Sequence, residues 1–232
     1  MDRSASSPAI LNPIALFGGT FDPVHYGHLG LARAAFTQLQ LQKLLLLPAG
    51  NPYQKGRLPF AAGQHRANML RLAFNDHPDM VVDERELHRK GATYTIDTLA
   101  ELRAEYGQAA SLVWLIGSDA FARLDTWHRW RELFGLAHFA VIDRPLHQMK
   151  IAGSSDDLRK EINSRLAGLD IHTSPCGAVV ILAIAPPPIS STDIRARLAT
   201  HQSICGLAPG GVCDYIEQHK LYQSPEKRQV GY

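Results

Sequence analysis

Short apolar runs, punctuated by glycine and proline, alternate along this chain with longer stretches whose apolar residues recur at helical spacing. Ile14-Ala15-Leu16-Phe17 reads as a buried strand. The helix after it begins near His25 to Gly27, shows its apolar face from Leu29 to Phe36, and runs to about Leu39. Lys43 to Pro48 is a second buried strand, stopped by its proline. Ala49 to Phe60 reads as a loop, Gly63 to Phe74 as a helix and Met80 to Asp83 as a short strand. Thr93 to Leu99 opens the next helix, with hydroxyls available for its N-cap, and Tyr106-Gly107 closes it. Ser111 to Ile116 is a strand that meets a glycine turn, Gly117-Ser118-Asp119, and short helical pieces with Trp127, His128 and Trp130 follow. His138 to Asp143 is a further strand, Ser154 to Leu166 a charged helix and Gly177 to Ala185 the last strand. Ile189 to Arg195 starts a helix with hydroxyls at its cap and an acid in its first turn. A final helix spans Pro209 or Gly210 to about Lys220.

Strands alternating with helices predict an α/β fold with a doubly wound, mainly parallel sheet, right-handed crossovers and helices on both faces. Ligands of such sheets sit at the carboxyl ends of the strands, where strand order reverses. Strand one and the strand ending at Ile116 both run into glycine turns, so they are the expected flanks of that crevice. Residues 1–12 read as a flexible lead, 13–222 as a single domain and 223–232 as a polar tail.

Charge and cysteine content narrow the class. Lys and Arg number 24 against 22 Asp and Glu, so no broad basic field suggests nucleic acid as a partner. Cys176, Cys205 and Cys213 show no CxxC spacing, which argues against a disulfide scaffold or zinc cluster and fits a reducing compartment. The first residues lack a signal peptide's apolar core, and no apolar run is long enough to span a bilayer. A soluble, cytoplasmic protein is expected, with oligomeric state open and a homo-oligomer among the choices.

The chemistry gathers in Phe17-Gly18-Gly19-Thr20-Phe21-Asp22-Pro23-Val24-His25-Tyr26-Gly27-His28-Leu29. Gly18 and Gly19 can take backbone angles other residues avoid, and they leave room for a ligand to approach the main chain. The first N–H groups of the helix have no partner within it and form an anion site. His25 and His28, three apart, share one face, and each can donate to a phosphate oxygen, more strongly when protonated. Alone, Gly-Gly is a turn, and the histidines are a core or metal pair. The combination in one short span points to a nucleotide's phosphates. G-x-G-x-x-G is missing after strand one, which argues against an NAD-dependent dehydrogenase.

Gly18 to His28 resembles the nucleotidyltransferase signature, and Ile189-Ser190-Ser191-Thr192-Asp193-Ile194-Arg195 resembles the superfamily's second signature. Between them, Tyr94 to Leu99, Ile116 to Asp119 and Leu124 to Trp127 resemble bacterial nicotinate-nucleotide adenylyltransferases, a likeness that runs from about Ile14 to Tyr222. The resemblance implies a Rossmann-like nucleotidyltransferase fold. It implies a reaction in which ATP and nicotinate mononucleotide give deamido-NAD and pyrophosphate, with Mg²⁺. The mononucleotide phosphate attacks the α-phosphorus, so catalysis is positioning and charge neutralisation without a protein nucleophile.

The same resemblance assigns roles. His25, His28 and Arg195 are the catalytic candidates. Gly18, Gly19, Thr20 and Phe21 line the ATP site through their backbone, and Ser190, Ser191 and Thr192 hold the β- and γ-phosphates. Lys55, Thr95, Gly117, Asp119, Trp127 and Arg144 belong to the mononucleotide site, Lys55 and Arg144 reaching phosphate and Thr95 and Trp127 flanking the ring. The family often carries His before the loop lysine; here that residue is Gln54. Asp22 is expected to fix the turn. An adenylyltransferase for nicotinamide mononucleotide or phosphopantetheine, or a non-catalytic nucleotide-binding module, are the competing readings; a His25–His28 metal site lacks further ligands nearby.

Overall fold

The computed structural model describes residues 10–51, 58–143, 154–166, 169–185 and 187–223. Six strands, β1 (Ile14–Gly19), β2 (Lys43–Pro48), β3 (Met80–Val82), β4 (Leu112–Gly117), β5 (His138–Asp143) and β6 (Val179–Ala183), form one sheet in the order β3-β2-β1-β4-β5-β6. All five pairings are parallel. Strand order reverses between β1 and β4, which makes their carboxyl ends the crevice of a doubly wound sheet. The expected pair is therefore the observed pair.

The apolar runs read as buried strands because both faces of the sheet are covered. Ala15, Phe17, Leu44, Leu46, Val113 and Leu115 share one core. Their immediate neighbours Ile14, Leu16, Leu45, Leu47, Trp114 and Ile116 share the other. The period-two alternation of a strand sends successive side chains to opposite faces. Helices α1 (Tyr26–Gln38), α2 (Gly63–Ala73), α8 (Ser191–Ala199) and α9 (Gly210–Gln218) cover the first face. Helices α4 (Thr95–Tyr106), α6 (Trp130–Leu133) and α7 (Asp156–Arg165) cover the second. Among the described residues there are also two one-turn helices, α3 (Arg85–His88) and α5 (Ser118–Phe121), and a 3-10 turn at Leu124–Thr126; α3 was not anticipated.

Several local expectations are corrected. Gly18 and Gly19 lie within β1, and neither has a positive φ; the left-handed residue of the turn is Phe21, at φ 49°. The glycines are there for space. A Cβ on Gly18 would stand 3.0 Å from Trp114 Cζ2, and one on Gly19 would stand 2.8 Å from Phe21 Cζ. Helix α4 has no hydroxyl cap either. Its N-cap is Tyr94, whose side chain makes no cap bond, while Thr93 Oγ1 instead accepts from the Asn51 N–H at 3.3 Å. The glycine turn expected after Ile116 is the start of a one-turn helix: Gly117 ends β4 and is the N-cap of α5. Helix α8 does follow expectation: Ser190 Oγ accepts from Asp193 N–H at 3.1 Å, and Asp193 sits in the first turn.

Candidate active site

The two nucleotidyltransferase-like segments, some 170 residues apart in sequence, meet at one corner. Ser191 Oγ donates to Pro23 O at 2.9 Å, and Arg195 Nη1 donates to Asp22 O at 2.6 Å. A Cβ on Gly27 would lie 3.5 Å from Ile189 O and 2.9 Å from the His25 ring, so only glycine lets the first turn of α1 come this close. The heads of α1 and α8 thus converge beside the β1–α1 turn. Both heads, in helices of 13 and 9 residues, bring first-turn N–H groups here, although Tyr26 N–H is taken by Leu207 O at 3.0 Å, His28 N–H by His25 O at 2.9 Å and Asp193 N–H by Ser190 Oγ at 3.1 Å.

The histidines there are not equivalent. His25, the N-cap of α1, is buried at 5% exposure, and its Nδ1 has no partner. Burial pushes its pKa down to about 4, so the ring is neutral at neutral pH. His28 is only partly buried, and its Nδ1 accepts the His25 N–H at 3.3 Å. A ring nitrogen that accepts carries no proton, so this bond places the His28 proton on Nε2. The backbone thus selects the tautomer in which His28 donates. The two imidazoles lie against each other at a 34° tilt, with centroids 3.8 Å apart, and Phe21 meets His28 edge-on at 5.0 Å. Phe21 itself is buried at 2%, so its side chain fixes His28 rather than facing a ligand.

Arg195 is partly buried and already aimed. Besides its bond to Asp22 O, Nη2 donates to Thr192 Oγ1 at 3.2 Å, and its guanidinium lies over the Phe60 ring at 4.5 Å. Two of its five N–H donors are in use, which leaves three for an anion. Ser190 Oγ, by contrast, is committed to the α8 cap: it also donates to Asp193 Oδ2 at 2.7 Å.

Across the turn a cavity of about 250 Å³ opens between β1 and β4. Gly18, Gly19, Thr20, Thr95, Gly117 and Trp127 line it, all six predicted from the sequence. Trp114, from β4, adds a second indole wall. Thr95 is the first residue of uncapped α4, so that helix points open N–H groups and its positive end toward the cavity. Asp119 stands exposed in α5 at the end of β4 and does not line the cavity. Lys55 and Arg144, with Gln54, lie outside the described residues. A larger cavity of about 590 Å³ between α8 and α9 contains none of the predicted site residues.

Three residues that shape the site carried no signal in the sequence. Arg66, 2% exposed, spends its guanidinium on backbone carbonyls: Nε on Ala61 O at 3.2 Å, Nη1 on Thr20 O at 2.8 Å and Nη2 on Ala49 O at 2.7 Å. It ties the turn after β1 to both ends of the loop after β2. Glu86 also lines the cavity; burial pushes its carboxyl pKa up, and the Thr98 hydroxyl donates to it at 2.9 Å. Asp22 was expected only to fix its turn, and it fixes more. Its carboxylate accepts from Phe60 N–H at 2.7 Å and Ala61 N–H at 3.1 Å, and from the hydroxyl of Tyr222 at 2.7 Å. Tyr222 is the third residue missed.

A doubly wound sheet with a glycine-lined crevice and a helix-head anion site is the build of a nucleotide-handling protein. The family model described as cytidylyltransferase-like matches residues 16–197, and the chain belongs to that family. Its relatives are more specific. A protein of Laribacter hongkongensis named "probable nicotinate-nucleotide adenylyltransferase" is 48% identical over 212 residues, 91% of this chain and 94% of that one. One of the same name from Dechloromonas aromatica is 42% identical over 214 residues, 91% of this chain and 98% of that one. In fold, the chain is similar to Plasmodium falciparum nicotinic acid mononucleotide adenylyltransferase complexed with NaAD. The TM-score is 0.66 at 20% identity, covering 91% of this chain and 97% of that one.

Proposed function

We propose that this protein transfers the adenylyl group of ATP to nicotinate mononucleotide, giving deamido-NAD and pyrophosphate. The names of its relatives support the reading, and the docking of the α8 head on the β1–α1 turn carries it. In this reading the triphosphate lies between the heads of α1 and α8. His28 Nε2–H and the free donors of Arg195 face the oxygens on which charge builds as pyrophosphate leaves. His25, neutral and buried, backs His28 and holds the tautomer through its N–H.

The mononucleotide lies on the β4 side, with its pyridine ring between Trp114 and Trp127. Its carboxylate faces the open head of α4 at Thr95, where the helix favours an anion over a neutral amide. The mononucleotide phosphate oxygen attacks the α-phosphorus as the bond to pyrophosphate breaks, and the site's contribution is alignment. Among the described residues no group of three or more His, Cys, Asp or Glu could hold a metal, and the Asp22 carboxylate is taken by donors. That fits a Mg²⁺ carried by phosphates and water, where it would neutralise phosphate charge.

The test is pyrophosphate release from ATP with nicotinate mononucleotide, nicotinamide mononucleotide or phosphopantetheine as acceptor. The highest kcat/KM is expected with the nicotinate compound. Release with another acceptor only, or ATP binding with no release at all, would overturn the reading.

A further inference from the structure

Tyr222 lies 200 residues from the turn it touches, at the end of the described chain. The local structure delivers it there. After α9, the Lys220 N–H donates to Glu217 O at 3.1 Å and the Leu221 N–H to Ile216 O at 3.0 Å. This is a paired helix stop with Lys220 left-handed at φ 50°. Tyr222 is left-handed as well, at φ 64°. Two left-handed residues without glycine are disfavoured, and they persist here with the Tyr222 hydroxyl on Asp22 Oδ1.

The cluster it enters holds two guanidinium groups and one carboxylate. Asp22 is 3% exposed, Arg66 is held on three carbonyls, and Arg195 donates to the backbone oxygen of Asp22, not to its carboxylate. Oδ2 is taken by the Phe60 N–H, and Oδ1 by the Ala61 N–H and Tyr222. The tyrosine keeps its proton, because burial and the neighbouring carboxylate both push its pKa up.

We propose that Tyr222 is a positioning residue of the triphosphate site: its hydroxyl occupies the Asp22 carboxylate and so leaves Arg195 directed at phosphate. Without the hydroxyl, Oδ1 is open to the Arg195 guanidinium, and the ion pair that forms withdraws the arginine from the ligand. The same carboxylate sets Phe60, on whose ring Arg195 lies, so the tyrosine acts on that arginine by two routes. The inference rests on the adenylyltransferase reading, and wild-type turnover is measured first so that the two fail separately.

The experiment compares wild type, Tyr222→Phe, Arg195→Gln and the double variant by pyrophosphate release, with thermal unfolding alongside. Tyr222→Phe is expected to raise the KM for ATP about tenfold, the low end for a hydrogen bond to a charged group. The KM for nicotinate mononucleotide is expected to stay within about twofold and Tm within about 2 °C. Because the tyrosine acts through Arg195, the double variant should be no worse than Arg195→Gln alone. Losses that multiply in the double variant would overturn the proposal. So would an unchanged KM for ATP, or equal losses for both substrates with a lower Tm.

Discussion

Replacing His25 by Asn tests whether the buried imidazole is neutral because of where it sits. The ring is 5% exposed, its Nδ1 has no partner, and burial lowers its pKa from 6.5 to about 4. Between those values the unfolded chain binds a proton that the folded chain refuses. Stability from this site is therefore complete above about pH 6.5 and is lost as pH falls through about 4. From pH 7 to pH 4.5 single-site linkage gives a loss of about 2 kcal/mol, an upper figure because the ring borders a solvated cleft. For a chain of this size that is about 4–8 °C in Tm. Asn serves well as an N-cap and does not titrate, so the variant removes only this pH dependence. His138 is also buried and held below its usual pKa, but Nε2 engages Ser174 O at 2.8 Å and Nδ1 accepts Ala178 N–H at 2.9 Å. Its contribution is common to both proteins and cancels. Urea unfolding of each protein across pH 4.5 to 7 is the assay. Wild type should lose about 1–2 kcal/mol more than His25→Asn on acidification; parallel curves would refute the reasoning.

Two further outcomes are expected. Trp127→Ala should raise the KM for the mononucleotide by about tenfold or more, the worth of a lost ring stack, and move the KM for ATP far less; equal shifts in steady-state assays would remove Trp127 from the ring site. Arg66→Met should strand three carbonyls at about 1 kcal/mol each, lowering Tm by about 6–12 °C; a change under about 2 °C in calorimetry would contradict the tie assigned to it.

The strand pattern was legible because every strand of a doubly covered sheet is apolar on both sides. Lys43–Pro48 was placed to the residue, since a proline ends it. The pairing of the two signature segments was legible only through resemblance, because the contacts that join them are side chain to backbone. Helix ends were read to within a residue or two, but the conformation that ends them was not. Helices α1, α8 and α9 stop at left-handed Gln40, His201 and Lys220, residues with no turn signal of their own. Arg66 and Tyr222 escaped notice for a related reason. A buried arginine that serves three carbonyls looks in sequence like any solvated helix cation. Tyr222 was read as the last residue of the domain, with nothing in the sequence to say that it reaches back to Asp22. The neutral state of His25 was not legible, because burial, not residue type, sets it.

The central claim is that a neutral His28, proton on Nε2, stabilises the phosphate charge that develops during adenylyl transfer. Single-turnover kinetics of His28→Ala with ATP and nicotinate mononucleotide test it most directly. The chemical step should slow by about 10²–10³-fold, with ATP affinity changed by only a few-fold and the fold intact. A step within about threefold of wild type would contradict the claim.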